Sequence, residues 1–506
     1  PLYLRKENRM CDLHYAIENI HFPKDAQKLK ESKFRLVYDE LFLLQLALLS
    51  IKQRFDNESN GIVFSNQVKM QDFVSSFPFK LTNAQNRVLA EIENDMESEI
   101  IMNRLIQGDV GSGKTAIAAT AAYKAIKSGY QVVLMAPTEI LARQHNDTLK
   151  SMFEPFAINV ELLTGNMNVK NREELLNKLN KGEIDFLIGT HAVIQKDVQF
   201  ANLGLVITDE QHRFGVKQRL LLTQKGSNPD VLVMTATPIP RTLAFILYGD
   251  LDVSIIDEMP PGRKPVITKV VNEKAGREYA YDFVRNEIAK GRQAYIVAPL
   301  IEESDVLDVK SAIELYEELK YKFQDYKVQL LHGSMKQLEK ENIMDEFKEG
   351  KIDILVSTVV IEVGINVPNA TIMLIENAER FGLATLHQLR GRVGRGKYQS
   401  YCILIAEEKT ELAKQRTEIM KQTTDGFLIA EKDLELRGPG EFFGVRQHGI
   451  PELKLADLAK HVRILETVHK DAIKLLKSDP CLKNKEHLLL KNKMKRTFKN
   501  LDFYNL

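Results

Sequence analysis

The sequence predicts an α/β protein: two lobes, each on a parallel sheet, flanked by an N-terminal helical connector and a mostly helical C-terminal domain. Three observations carry this. Two separate series of short apolar runs alternate with helical segments, a Pro/Gly cluster divides the series, and a glycine-rich loop follows the first run of the first series. At ~150 residues per domain, 506 residues leave room for about three domains or slightly more.

Residues 1–78 form the expected helical connector, ending at Phe77-Pro78. Within it, Leu41, Leu44, Leu48 and Ile51 recur at helical spacing, which marks a packing helix without chemistry of its own. Residues 79–258 form the first lobe. Its apolar runs at 101–106, 131–135, 185–188, 205–208 and 231–234 are too short for buried helices and read as strands. The second lobe, 259–408, repeats the pattern at 294–297, 328–331, 352–356, 371–375 and 402–405. Continuous apolar runs are what strands covered on both faces require, hence parallel sheets. Between the series, residues 259–265 (MPPGRKP) are the expected linker, because proline lacks a donor and glycine resists ordering. Residues 409–506 turn helical again. Their last stretch carries eight Lys/Arg between Lys477 and Lys499 against Asp479 and Glu486, a pattern that fits a solvated helix face or a phosphate contact.

Composition removes several classes. Seventy Lys+Arg against 69 Asp+Glu leave a net charge of +1, so the chain is not a wholly basic, histone-like binder. Three cysteines (Cys11, Cys402, Cys481) form no CxxC pair, which argues against a disulfide scaffold or structural zinc and for a reducing compartment. The longest apolar stretch, 41–51, is too short to cross a bilayer, and no signal peptide opens the chain. The first residue is not Met, from which an upstream segment is expected. The expectation is a cytoplasmic protein with no membrane partner.

Gly108, Gly111, Ser112, Gly113, Lys114 and Thr115 lie in GDVGSGKT, the G-x-x-x-x-G-K-T pattern between a strand and an Ala-rich helix. Glycines let backbone N–H groups approach phosphate oxygens, and the helix N-terminus adds positive potential. ATP is the expected ligand, with Lys114 on the β/γ-phosphates and the Thr115 hydroxyl on Mg²⁺. Asp209-Glu210 ends an apolar strand. Asp209 is expected to hold the Mg²⁺ shell, and Glu210 to orient and deprotonate water for in-line attack. In QLRGRVGR, Arg392 and Arg395 are expected to cross the cleft as arginine fingers, with Arg390 left open. ATP would then close the cleft and hydrolysis release it.

In order along the chain, LTNAQ (81–85), the P-loop, PTE (137–139), GTH (189–191), DEQH (209–212), TAT (235–237) and RGRVGR (390–395) resemble the motifs of superfamily-2 helicases, which have two RecA-like lobes. That resemblance implies that Gln85 reads the adenine and that Thr235 and Thr237 couple hydrolysis to lobe movement. It also implies that Pro137, Thr138, Thr190 and His191 line the nucleic-acid path. The longer runs 209–219, 234–243, 248–263 and 376–396 are similar to the RecG family of bacterial ATP-dependent helicases that remodel branched DNA. Residues 433–447 resemble the translocation motif that this family shares with the transcription-repair coupling factor, which makes Arg437 and Gln447 coupling residues.

The sequence departs from the family at two points. Asn366 stands where the family usually has Asp, losing a charge but keeping an acceptor oxygen. Residues 1–78 resemble only the helical connector (AIENIHFP, 16–23), and not the OB-fold wedge that precedes it in the family. The resemblance implies double-stranded and branched DNA (stalled forks, Holliday junctions) as substrate in recombination and repair, and a single-strand-binding protein as partner. It further implies a monomer close to the nucleoid. Two rivals remain: a transcription-repair coupling translocase, for which no polymerase-binding module is visible, and a non-catalytic DNA-binding scaffold. The intact Lys114, Asp209, Glu210, Arg392 and Arg395 oppose the second.

Overall fold

A computed structural model describes residues 1–58, 60–209, 221–235, 251–298, 305–358, 367–437, 453–458 and 460–497. Glu210, Thr237, Asn366 and Gln447 lie outside these residues, as do the side chains of Ile51 and Arg437.

Two parallel sheets organise the described residues. The first holds β1 (Asn103–Gly108), β2 (Gln131–Met135), β3 (Val160–Leu163), β4 (Phe186–Gly189), β5 (Leu203–Asp209), β6 (Asp230–Thr235) and β7 (Asp252–Ile256), in the order β3-β4-β2-β5-β6-β1-β7. The second holds β8 (Ile267–Val271), β9 (Gln293–Val297), β10 (Val328–Leu331), β11 (Ile354–Ser357), β12 (Ala370–Ile375) and β13 (Tyr401–Ile405), ordered β10-β11-β9-β12-β13-β8. Every apolar run singled out in the sequence is a strand, and central strands such as β2 and β12 are buried at each position. Three strands were not anticipated. β3, β7 and β8 are edge strands whose side chains are half-buried, so they carry no continuous apolar run. The linker lies between β7, the last strand of the first sheet, and β8 at the edge of the second.

Packing divides the helical regions differently from the boundaries at 78 and 409. Phe64, Met70 and Phe73 belong to the first lobe's core, where Phe73 stacks on Tyr123 and Phe153 at 5.0 and 4.9 Å between centroids. The fully buried Lys124 pins this segment. Its ammonium donates to the Val68 carbonyl at 3.0 Å and pairs with Glu97 at 2.7 Å and Glu93 at 3.3 Å, so the charge is removed from water only with compensation. The connector's remainder joins the end of the chain: helix Ala26–Glu58 packs on helix Val462–Ser478. Leu41 and Leu44 share one core with Leu465, Val468 and Leu475, and Leu48 packs against it. Asp471 closes this joint by accepting from Tyr38 Oη at 2.5 Å and Asn8 Nδ2 at 2.8 Å. Met420 and Ile429, by contrast, sit in the second lobe's core. A hydrophobic core is set by which faces meet, and sequence order does not constrain it.

This shared core makes a testable claim. Leu41→Ala and Leu465→Ala are each expected to destabilise the helical unit by about 2–5 kcal/mol, the range for deleting a buried leucine. Urea denaturation followed by circular dichroism checks it. If the two losses add with no coupling, the ends of the chain do not share a core.

Candidate nucleotide site

The P-loop leaves β1 at Gly108 and enters the helix Lys114–Lys127. Its glycines are required by geometry. Gly111 (φ +78°) and Gly113 (φ +87°) are left-handed, and a Cβ at either would run into Arg263 or Gln85 respectively. A Cβ on Gly108 would come within 2.5 Å of Ser112 Oγ. That hydroxyl is buried with no hydrogen-bond partner among the described residues. A backbone cradle with no room for side chains and an unsatisfied inward hydroxyl suits phosphate oxygens. Lys114 Nζ donates to the carbonyls of Gly108 at 2.7 Å and Asp109 at 2.9 Å.

Gln85 sits beneath the loop, 2% exposed. Thr82 and Gln85 form a capping box at the start of helix Asn83–Met96: the Gln85 carbonyl oxygen accepts from Thr82 N at 2.8 Å. The amide's other end donates to the Ser112 carbonyl at 2.7 Å. One side chain therefore fixes both the helix start and the P-loop.

Asp209 ends β5, and its Oδ2 lies 2.8 Å from His145 Nε2 on helix Glu139–Phe153. A hydroxyl (Thr115) and a carboxylate (Asp209), with phosphate and water oxygens, are the hard oxygen donors Mg²⁺ prefers. Thr235 ends β6 and is 1% exposed. Pro137 and Thr138 follow β2, where Thr138 Oγ1 caps the next helix by accepting from Leu141 N, and Thr190 and His191 follow β4. All these positions therefore lie at the carboxyl ends of strands in one parallel sheet, the edge where ligands bind in α/β folds.

The second lobe brings positive charge to this edge. Arg263 of the linker donates to the Val110 carbonyl at 2.5 Å and to the Gly394 carbonyl at 3.1 Å, so it ties the P-loop to the RGRVGR turn. Burial first, then Arg392 and Arg263, pull the Arg395 guanidinium down to about 9. Positive charge is therefore crowded together at this turn. Arg390 does otherwise. It is 3% exposed, and its Nη1 donates to the carbonyls of Met420 at 2.8 Å and Thr423 at 2.9 Å, which makes it a strut within the second lobe. Sequence reading missed Arg263, His145 and His387, since no motif marks a lone arginine in a linker or a lone histidine on a helix.

Gly113→Ala is expected to abolish nucleotide binding in a fluorescent-nucleotide titration. Gly129→Ala is the control, because Gly129 is equally left-handed (φ +91°) but has nothing within 4 Å of a new Cβ. Equal losses in both variants would mean backbone strain, not obstruction of the cradle.

The comparisons agree with this geometry. Residues 82–246 match the DEAD/DEAH box helicase model, 277–397 the helicase conserved C-terminal domain, and 423–504 the model described as ATP-dependent DNA helicase RecG, domain 3, C-terminal. The chain is 53% identical over 498 residues to ATP-dependent DNA helicase RecG of Bacillus subtilis (strain 168), covering 98% of this chain and 73% of that one. It is 52% identical to the RecG of Thermotoga maritima, covering 93% of this chain and 60% of that one. It is also similar to a solved structure of RecG bound to a three-way DNA junction, with TM-score 0.74 and 48% identity over 92% of this chain and 61% of that one. A yeast Dbp5 structure, 18% identical at TM-score 0.51, shares the two-lobed fold. With the P-loop, both lobes and the C-terminal segment all matched, the chain belongs to the RecG family of ATP-dependent DNA helicases.

Proposed function

We propose that these residues are the ATP-driven motor of an enzyme that moves on duplex DNA and remodels forks and Holliday junctions in recombination and repair. The observation that carries this reading is the convergence of Arg263 and the Arg392–Arg395 turn on the P-loop of the other lobe. A site completed only when two lobes meet converts phosphate chemistry into lobe movement.

In this reading Lys114 leaves its two carbonyls for the β/γ-phosphates, and Gln85 reads the adenine. Thr115 and Asp209 would hold Mg²⁺, which would supply charge neutralisation on the phosphates. Glu210 orients water and takes its proton as the water oxygen bonds to the γ-phosphorus and the bond to the ADP oxygen breaks. Arg392 and Arg395 stabilise the charge that spreads onto the transferring group. Pro137, Thr138, Thr190 and His191 track DNA on the same sheet edge, so a shift of one lobe moves the grip. Thr235 and Thr237, followed by Arg437 and Gln447, carry that shift to the translocation segment. The reading includes a monomer in the bacterial cytoplasm near the nucleoid, working beside a single-strand-binding protein.

The deciding measurement is ATPase activity with linear duplex, single strand, fork and four-way junction. Stimulation that is strongest with branched DNA supports the proposal, and none with any DNA overturns it. Lys114→Ala is expected to abolish turnover while leaving DNA binding largely intact, because the lysine acts on phosphate alone. Glu210→Gln should retain ATP yet hydrolyse it slowly, since an amide is a poor base. Loss of nucleotide binding in that variant would assign Glu210 another role. Alanine at Arg437 or Gln447 should preserve DNA-stimulated ATPase and reduce fork unwinding. A parallel fall in both would make those residues structural.

A further inference from the structure

The basic stretch near the end of the chain takes no part in the ATP chemistry, yet it is built on a fixed frame. Between Val462 and Thr497, ten Lys/Arg stand against four carboxylates. Two of those four are spent inside the helical unit. Asp471 accepts from Tyr38 and Asn8, and Asp479 accepts from Lys483 N at 2.9 Å, Asn484 N at 2.9 Å and His487 Nδ1 at 2.7 Å. Glu466 and Glu486, both exposed, are the other two. The helix Val462–Ser478 divides its two sides sharply. Leu465, Val468, Ala472, Leu475 and Leu476 are buried, whereas Arg463, Lys470, Lys474 and Lys477 are exposed. At 3.6 residues per turn, these four cations fall within an arc of about 60°, opposite the buried side. From Arg463 to Lys477 the stripe covers about 21 Å of helix axis.

The turn after the helix is equally fixed. Asp479 holds its N–H groups, and Leu482, left-handed at φ +50° and 2% exposed, is locked into the core that Leu41 and Leu465 share. A leucine keeps that conformation only where packing over-determines it. Lys483 and Lys485 are thus exposed on a preset backbone, which lowers the cost of ordering them on a ligand. Partnering also separates this face from ordinary surface. Elsewhere lysines pair with a carboxylate three residues away, as Lys290 with Glu287, Lys421 with Glu418 and Lys432 with Glu435. Here Lys474 meets Glu7 at 3.0 Å, but Lys470, Lys477, Lys483 and Lys485 have no anionic partner among the described residues.

A small anion needs donors that converge, and the stripe spreads its cations along a line. An extended polyanion fits better. Duplex DNA carries one charge per ~1.7 Å of axis, so about 12 lie alongside ~21 Å. We propose that the face bearing Arg463, Lys470, Lys477, Lys483 and Lys485 grips the phosphate backbone of the duplex outside the two lobes. The proposal rests on the motor reading above, which brings duplex to this chain. Phosphate contacts position a protein without reading bases, which suits a grip that has to slide. Lys52 and Asp252 tie the helical unit to the first lobe's edge strand, so the grip travels with that lobe and keeps hold while the second lobe shifts.

The test uses the full chain without nucleotide, a linear duplex of about 30 base pairs, and anisotropy titrations over a series of KCl concentrations. Each phosphate contact contributes about 0.9 to the slope of log affinity against log salt. Combining Lys470→Ala, Lys477→Ala and Lys483→Ala is expected to lower that slope by about 2–3 and to weaken low-salt binding by about tenfold or more. Arginine at the same three positions should preserve both, because it carries the same charge. In the alanine variant the DNA-stimulated ATPase should reach its usual maximum within about twofold, while half-saturation needs about tenfold more duplex. An unchanged slope overturns the grip and leaves the face to solvent or to an acidic protein. Arginine losing as much as alanine overturns it too, as does a lower ATPase maximum at unchanged duplex affinity. If the triple variant does not fold, the three alanines are measured singly, each expected to lower the slope by about 0.9, and no change in any of them overturns the grip. An unaltered chain without DNA-stimulated ATPase would overturn the motor reading itself. Normal ATPase with an unchanged slope in the alanine variant would remove only the grip.

Discussion

Burying a guanidinium removes it from water at a cost of several kcal/mol unless an anion or acceptors compensate. Arg263, Arg392 and Arg395 accept that cost together, close enough to depress Arg395 further. Carbonyls from Val110, Gly394 and Gly391 take some of their hydrogen bonds, and Asp109 lies near enough to Arg263 to favour its charge. In the proposed reading a triphosphate would add its negative charge here. The rest of the architecture follows from the need to hold this charge opposite a loop of N–H groups without fixing it there. Two separately packed sheets, joined by a short linker that itself supplies one arginine, meet that need.

The sheets make the arrangement accurate. Parallel strands deliver their carboxyl ends to one edge, so β1, β2, β4, β5 and β6 place the P-loop, the proposed DNA-path residues, Asp209 and Thr235 side by side. Their order puts β5 and β6 between β2 and β1. Asp209 and Thr235 are thus set between the proposed DNA path and the phosphate loop. The helical unit built from both ends of the chain is tied to the first lobe's edge strand by the Lys52–Asp252 ion pair at 2.5 Å.

What could be read from sequence depended on whether a residue's role was local. The P-loop was legible because phosphate binding needs glycines and a lysine at fixed offsets. The central strands were legible because two-sided burial leaves an unbroken apolar run. β3, β7 and β8 were not, since an edge position buries only part of the strand and erases that signal. Arg263 stood within a run already noticed for its prolines, and its importance depends on Val110 being 2.5 Å away across 153 positions of sequence. His387 and Asp109 are 278 positions apart. Pairings of that kind arise from tertiary packing, and a single sequence carries no trace of them.

The RGRVGR string shows how neighbouring, chemically identical residues come to differ. Arg390 is the last residue of its helix, so its side chain is held against the helix Glu411–Gln422 and its donors are consumed by carbonyls there. Gly391 then ends the helix, and a Cβ on it would stand 2.9 Å from Val110 Cβ, closer than real Cβ atoms come. Glycine at this position lets the turn lie directly against the P-loop. Gly394, left-handed at φ +78°, turns the chain again and leaves its carbonyl to Arg263. Arg392 and Arg395 are therefore the arginines carried on the part of the string that touches the P-loop, while Arg390 is carried on the part that touches the C-terminal helices. The glycines decide which guanidinium is carried toward the P-loop and which toward the C-terminal helices.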